Sequence, residues 1–386
     1  MKGVNQNTLR LALALALAVT SNILSFSVAL LAAEAMIPGS PWVSLPLFLQ
    51  YGVATLVSLP SSMLMKKLGR KRVFMLDLAA TATFALIATQ GVLSGNFALF
   101  CLGSAGIGLA NGIRPYYRFA ALEAAGAGHG PRAMALVLAG GVLAAVAGPN
   151  LGYFARAALS VPYAGNYLLI ALLQGLGIWV IARVRLEPVP ALAEKGRSLY
   201  VIAKQPRFIL ALLGGMISYA VMSGLMVATA PAMTDCGYSF WDVSQVIQWH
   251  VLAMYAPSFF SGPLLARLGV YPVLLLGAIL NAGAIGINLN GQSASHFYGA
   301  LILLGLGWNF LYLGASQLLT RCYRPEEMAK VQGVNELVAL AMVSTASLGA
   351  GWAYRTLGWE GLNWALTPAL VLVTVLTLVL LKLDRH

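Results

Sequence analysis

The chain has 386 residues, of which 59% are apolar and 9% charged, against roughly 45 to 50% apolar and about 25% charged in an ordinary soluble domain. That composition excludes a soluble globular protein, and at about 20 apolar residues per membrane-crossing helix the chain holds about twelve spans with no sizeable soluble domain left over. The formal charge of +12, from 24 basic and 12 acidic residues, is dispersed between the apolar runs, so it reads as loop charge that orients a membrane protein and not as a nucleic-acid surface.

Apolar runs bounded by Gly, Pro or charge clusters fall at 11–33, 43–65, 73–93, 97–120, 132–158 and 163–184, then at 207–232, 241–263, 271–291, 296–319, 329–354 and 361–381. An α-helix satisfies its own backbone in lipid, so each run predicts a crossing helix and the class is all-α polytopic. The first run also has features of a signal peptide, with Lys2 and Arg10 before it and Ala33-Glu34-Ala35 after it. It is longer than the about 7 to 15 residues of a signal h-region, which favours a retained span.

Basic residues follow the even-numbered runs: Lys66, Lys67, Arg70, Lys71 and Arg72, then Arg118 and Arg132, then Arg183, Arg185, Lys195, Arg197, Lys204 and Arg207. Arg267, Arg321, Arg324, Lys330, Lys382 and Arg385 keep the same parity, and only Arg156 and Arg355 fall clearly on the other side. The positive-inside rule then places both termini in the cytoplasm. The polar stretch 187–206 divides the chain into an N-terminal six-helix half (1–186), a cytoplasmic linker and a C-terminal six-helix half (207–386).

Three self-similarities cross that linker in consistent order. Ser62-x4-Lys67-Leu68-Gly69 returns as Gly262-x4-Arg267-Leu268-Gly269, Pro131-x-x-Met134-Ala135 as Pro325-x-x-Met328-Ala329, and Gly106-Ile-Gly108-Leu-Ala-Asn111 as Gly305-Leu-Gly307-Trp-Asn309. With this repeat the chain resembles the major facilitator superfamily, whose signature after the second helix is Gly-x3-Asp-Arg-x-Gly-Arg-Lys/Arg. Here the stretch reads Ser62-x3-Lys66-Lys67-Leu68-Gly69-Arg70-Lys71, without the first glycine and the acid. The resemblance implies two pseudo-symmetric halves, a substrate site near the bilayer midplane and alternating access.

Polar groups inside the runs are functional candidates, because an unpaired one in lipid is costly. His250 and Met254 stand one turn apart in the eighth run, Met222 and Met226 one turn apart in the seventh, and Met233 lies further along. Residues at i and i+4 project from one helix side. Thioether and imidazole ligands suit Cu(I), and no carboxylate cluster serves a hard cation. The alternative is that the methionines fill gaps and the histidine is structural or handles protons. Met-x3-Met on helix seven and His-x3-Met on helix eight resemble the CcoA-like copper importers of bacterial inner membranes. In that group Cys236, between the two helices, falls where a thiol is carried.

Arg114, Arg118 and Glu123 cluster at the end of the fourth run, as a gating ion pair, as a counter-ion for an anionic substrate, or as interfacial anchors. Glu336, beside Asn335 and Gln332, is a candidate proton carrier or structural group, whereas Asp77 and Glu34 read as interfacial. Ala144-x3-Gly148-Pro149-x2-Gly152 is similar to a motif of drug/proton antiporters, with two of its glycines replaced. The glycines from Gly103 to Gly112 lie within an apolar run, where they permit close helix packing and do not form a phosphate loop. Cys101, Cys236 and Cys322 are too few and too scattered for a disulfide scaffold or zinc finger, and enzymatic motifs are absent.

The resemblance therefore implies a secondary transporter that imports copper across a bacterial inner membrane, with Met222, Met226, His250 and Met254 as metal ligands and Cys236 at the entrance. Copper is then the transported substrate, no cofactor is permanently bound, and copper chaperones or oxidase assembly factors are the implied partners. An inward cation gains about 2.3 kcal/mol per charge per 100 mV, so ATP is unnecessary. Two alternatives stand: an organic-solute transporter, either a riboflavin-like vitamin importer or a proton-coupled drug exporter, and a non-transporting membrane sensor or assembly partner.

Overall fold

A computed structural model describes residues 6–38, 40, 42, 45–125, 129–186 and 196–384. Lys2, Arg385 and linker positions 187–195 lie outside the described residues. Among the described residues every regular element is helical, and ten helices are long and apolar enough to cross a membrane. The chain forms two compact units, residues 1–191 and 192–386.

In the first unit α1 (Gln6–Met36), α2 (Leu45–Leu68) and α3 (Arg70–Leu93) are followed by α4 (Phe97–Ile113), α5 (Tyr116–Ala124), α6 (Gly130–Arg156) and α7 (Ala164–Ala182). Asn96 starts α4 by accepting the Leu99 N–H at 3.0 Å, and Pro115 separates α5 from α4. Glycine sets the packing. A Cβ on Gly108 would lie 2.2 Å from the Gln50 carbonyl oxygen, on Gly112 2.6 Å from that of Ala54, and on Gly103 2.4 Å from the Ala88 nitrogen. Only residues without a side chain let α4 wedge between α2 and α3 at this distance. Gly140 likewise brings α6 against α1 at Ala12, so the glycine run is a packing device, as its apolar setting implies.

The second unit begins with a short α8 (Leu199–Ala203), capped by Ser198. It continues through α9 (Pro206–Asp235), α10 (Phe240–Tyr255), α11 (Ser258–Leu268), α12 (Val270–Asn290), α13 (Ala294–Leu319) and α14 (Met328–Leu383). The eighth apolar run is thus two helices, because Pro257 has no N–H to continue the ladder. Helix α14 carries the last two runs and is interrupted at Gly358 (φ 70°, ψ −177°).

The internal repeat has a structural counterpart. Gly69 (φ 82°, ψ 150°) joins α2 to α3 and Gly269 (φ 81°, ψ 178°) joins α11 to α12; the positive φ selects glycine at both. Partners recur as well: α4 packs on α2 and α3, and α13 on α10 and α12. Helix α1 packs on α6, and α9 on α14. Large apolar side chains such as Leu56, Leu172, Ile279 and Trp364 are exposed, as expected where lipid is the solvent.

Candidate functional site

The first unit holds a polar cluster on α1, α2 and α4. Close approach of α4 at Gly108 buries Gln50 completely. Its Oε1 accepts from Ser25 Oγ at 2.8 Å, and its Nε2 has no partner. Asn111 is buried, accepts from Arg114 Nη1 at 3.4 Å and leaves its Nδ2 unpaired. The Tyr51 hydroxyl sits beside the Asn22 amide and within the field of Arg114.

In the second unit Gly305 performs the role of Gly108. A Cβ there would lie 2.6 Å from the carbonyl oxygen of His250, and His250 stands 200 residues after Gln50, the offset that relates Gly69 to Gly269. His250 is fully buried. Its Nδ1 lies 2.8 Å from the Leu301 carbonyl, an acceptor, so Nδ1 carries the proton and the Nε2 lone pair points elsewhere, with no partner. Beside the break at Pro257, Asn309 Nδ2 donates to the Met254 carbonyl and to Ser258 Oγ, both at 2.7 Å. Asn309 Oδ1 accepts from Ser261 Oγ at 2.7 Å.

An aromatic cluster lies on α9, α10 and α13. Trp308 stacks on Tyr312 with centroids 4.8 Å apart, Tyr219 meets both rings edge-on at 5.6 and 5.1 Å, and Tyr255 meets Trp308 edge-on at 5.9 Å. Trp308 is buried, and its indole N–H has no acceptor. An unpaired buried donor costs about 1 to 3 kcal/mol, so these atoms are where a ligand with complementary polar groups gains most.

Of the residues singled out in the sequence, Met222, His250 and Met254 are buried and Met226 half-buried. Helices α9 and α10 both pack on α13 and touch one another only slightly. Cys236 is exposed, with its Sγ 3.0 Å from Gln292 Oε1. Among the described residues no group of three or more His, Cys, Asp or Glu could hold a metal ion; a metal would depend on thioethers.

Glu123 takes a partner that local spacing did not suggest, accepting Arg70 Nη2 at 2.5 Å and Nε at 2.7 Å. Arg70 directly follows Gly69 at the α2–α3 junction, so the stretch lacking its acid still has an ion pair. Arg118 is a correction to the anchoring expectation. It is fully buried, lies over the Phe119 ring at 4.4 Å and donates to the Pro115 carbonyl at 3.0 Å. Asp77 is buried within the protein and accepts from Thr81 at 3.3 Å. Glu336 is buried and accepts from Asn335 Nδ2 at 2.7 Å.

Sequence reading did not single out Gln50, Tyr219 or Tyr312. The 200-residue offset, carried from the loops into the helices, would have paired Gln50 with His250.

Two helical units with a shared internal plan, apolar outside and polar at a few buried points, define a polytopic membrane transporter. The profile of the Major Facilitator Superfamily matches residues 211–386, and the chain belongs to that superfamily. It is 37% identical over 382 residues to the riboflavin transporter RfnT of Brucella anthropi, covering 98% of this chain and 96% of that one. Over 165 residues it is 33% identical to an uncharacterized MFS-type transporter, YdeG, of Bacillus subtilis, covering 40% of this chain and 38% of that one. Its fold is similar to that of the human organic anion transporter MFSD10, with a TM-score of 0.80 at 16% identity, covering 97% of this chain and 100% of that one. It is also similar to a bacterial homologue of the iron transporter ferroportin, with a TM-score of 0.74 at 14% identity, covering 99% and 100% of the two chains. These are transporters, not enzymes.

Proposed function

We propose that this chain is a secondary transporter of a planar, uncharged organic solute of the riboflavin class. The observation that carries the reading is the 37% identity, across 98% of the chain, to a protein named as a riboflavin transporter. It favours an organic solute over copper. The side chains support the same choice: a fused heteroaromatic ring has flat faces for Trp308 and its tyrosines, and stacking adds about 0.5 to 1.5 kcal/mol beyond burial. Carbonyls and ring nitrogens on its rim suit the indole N–H donor of Trp308, and a ring N–H suits His250 Nε2. An uncharged solute gains nothing from the membrane potential. We assign proton coupling to Glu336, whose carboxyl is buried beside the Asn335 amide. Both termini are assigned to the cytoplasm of an inner-membrane protein from the distribution of basic residues.

A second reading, copper import, is favoured by His250. A ligating histidine donates its other N–H to a carbonyl or carboxylate, which is the arrangement of Nδ1 on Leu301, and Met254 follows one turn later.

Uptake of labelled riboflavin and of labelled copper is measured in cells expressing wild type, Trp308→Ala or His250→Ala at matched membrane levels. Riboflavin accumulation above vector, at least tenfold lower in Trp308→Ala, is expected. Copper uptake lost in His250→Ala, with no riboflavin uptake by the wild type, overturns the proposal in favour of copper. Purified protein that binds riboflavin but never accumulates it in sealed vesicles supports the non-transporting alternative instead.

A further inference from the structure

Where α1 begins and α7 ends, a cleft of about 710 Å³ opens in the first unit, lined by Arg10, Lys71, Arg183 and Arg185 with Gln6 and Asn7; among the described residues no Asp or Glu lines it. The fold holds these cations in place. Arg10 Nη1 donates to the Arg183 carbonyl at 2.6 Å and Lys71 Nζ to the Ala182 carbonyl at 2.6 Å. Asn7 grips the backbone of Arg185 in both directions, at 2.8 and 3.0 Å. The Arg183 guanidinium lies 3.6 Å from the centre of the Trp179 ring.

Capping accounts for part of this arrangement, since a helix C-terminus attracts cations. It offers only about half an elementary negative charge, against four formal positive charges. The surplus calls for an anion. Two kinds of phosphate could supply it, a free one or a lipid headgroup, and the surrounding surface distinguishes them. Leu172, Leu176 and Trp179 are exposed on successive turns of α7 leading up to Arg183, and Leu9 and Leu13 are exposed on α1. An apolar track that ends in a basic cleft matches an acyl chain ending in a charged headgroup.

We propose that this cleft binds the phosphate headgroup of an anionic phospholipid through Arg10, Lys71, Arg183 and Arg185, with an acyl chain along Leu172, Leu176 and Trp179. None of its residues is among those assigned to substrate, and its test is independent of what is transported.

The full-length protein in detergent is titrated with phosphatidylglycerol, phosphatidylcholine or inorganic phosphate, and binding is followed by native mass spectrometry and thermal midpoint. Phosphatidylglycerol is expected to bind and stabilise, with little effect of phosphatidylcholine. Each removed charge is expected to weaken binding about fivefold in Arg183→Gln and Arg185→Gln. Arg185→Gln keeps every capping contact named above, because Asn7 holds that residue by its backbone. Arg267→Gln, an exposed charge of the second unit, is expected to bind as wild type does. Equal binding of the two lipids, or undiminished phosphatidylglycerol binding in folded Arg185→Gln and Arg183→Gln, overturns the site. Inorganic phosphate binding as tightly as phosphatidylglycerol overturns the lipid assignment.

Discussion

Glutamine in place of Glu327 keeps the shape of the side chain and removes the charge that pairs with Arg197 near the start of the second unit. The carboxylate is fully buried. Its Oε1 accepts from the Arg197 backbone N–H at 2.7 Å and from Arg197 Nε at 2.8 Å. Oε2 accepts from Arg197 Nη2 at 2.6 Å and from the Arg324 N–H at 2.9 Å. Whichever way the glutamine amide points, its NH2 faces two donors, so two bonds are lost and the other two lose their charge assistance. Hydrogen bonds to charged groups contribute about 1.5 to 3 kcal/mol each. Arg197 is 31% exposed, so water screens part of its contribution, and the net cost is about 3 kcal/mol. For a unit of this size, at about 2 to 4 °C per kcal/mol, the thermal midpoint should fall by about 6 to 12 °C. The pH dependence is a second readout. Arg197 hydrogen bonds, against the opposing effect of burial, hold the Glu327 carboxyl down from 4.5 to about 2, and the Arg324 and Arg197 backbone N–H groups and the Arg197 charge assist. A depressed value stabilises the fold above the ordinary carboxylate range, and that stability is lost as the pH falls toward 2. Tryptophan-fluorescence melts of the two proteins should therefore differ by a constant amount between pH 5 and 8 and converge below about pH 4.5. A midpoint within 2 °C of wild type at pH 7, or a gap that widens on acidification, refutes the reasoning.

Four further outcomes follow from the packing. Gly305→Ala puts a Cβ 2.6 Å from the His250 carbonyl oxygen; overpacking should cost about 1 to 3 kcal/mol in melts and reduce uptake. Gly175→Ala meets open space and should gain up to about 1 kcal/mol of helix propensity with unchanged uptake. Asn309→Ala leaves the Met254 carbonyl and the Ser258 and Ser261 hydroxyls without the bonds that join α13 to the break at Pro257, and should lower stability by about 2 to 4 kcal/mol. Glu123→Gln and Arg70→Gln should each cost about 2 to 3 kcal/mol. Their double variant should cost clearly less than the sum, and strict additivity would dissociate the two residues energetically.

Composition and local pattern determined much of this protein. Apolar runs of membrane length became helices because an α-helix satisfies every backbone group within its own segment, as lipid requires. The repeat read from Gly69 and Gly269 returned as two linkers with the same positive φ. His250 was legible as a polar group in an apolar run. What local pattern left undetermined is which side chain meets which. The eighth run looked continuous, yet Pro257 divides it and Asn309, about fifty residues on, bonds to the released backbone. Glu123 lies near Arg118 in sequence, but its carboxylate takes both its short bonds from Arg70, 53 residues away. Gln50 had no distinction until the glycine of another helix buried it, and the rings around Trp308 come from three helices. Hydropathy and turn chemistry act over a few residues and are written in the sequence where they act. Pairing, burial and unmet hydrogen bonds depend on which backbones approach closely, and that only the tertiary structure decided.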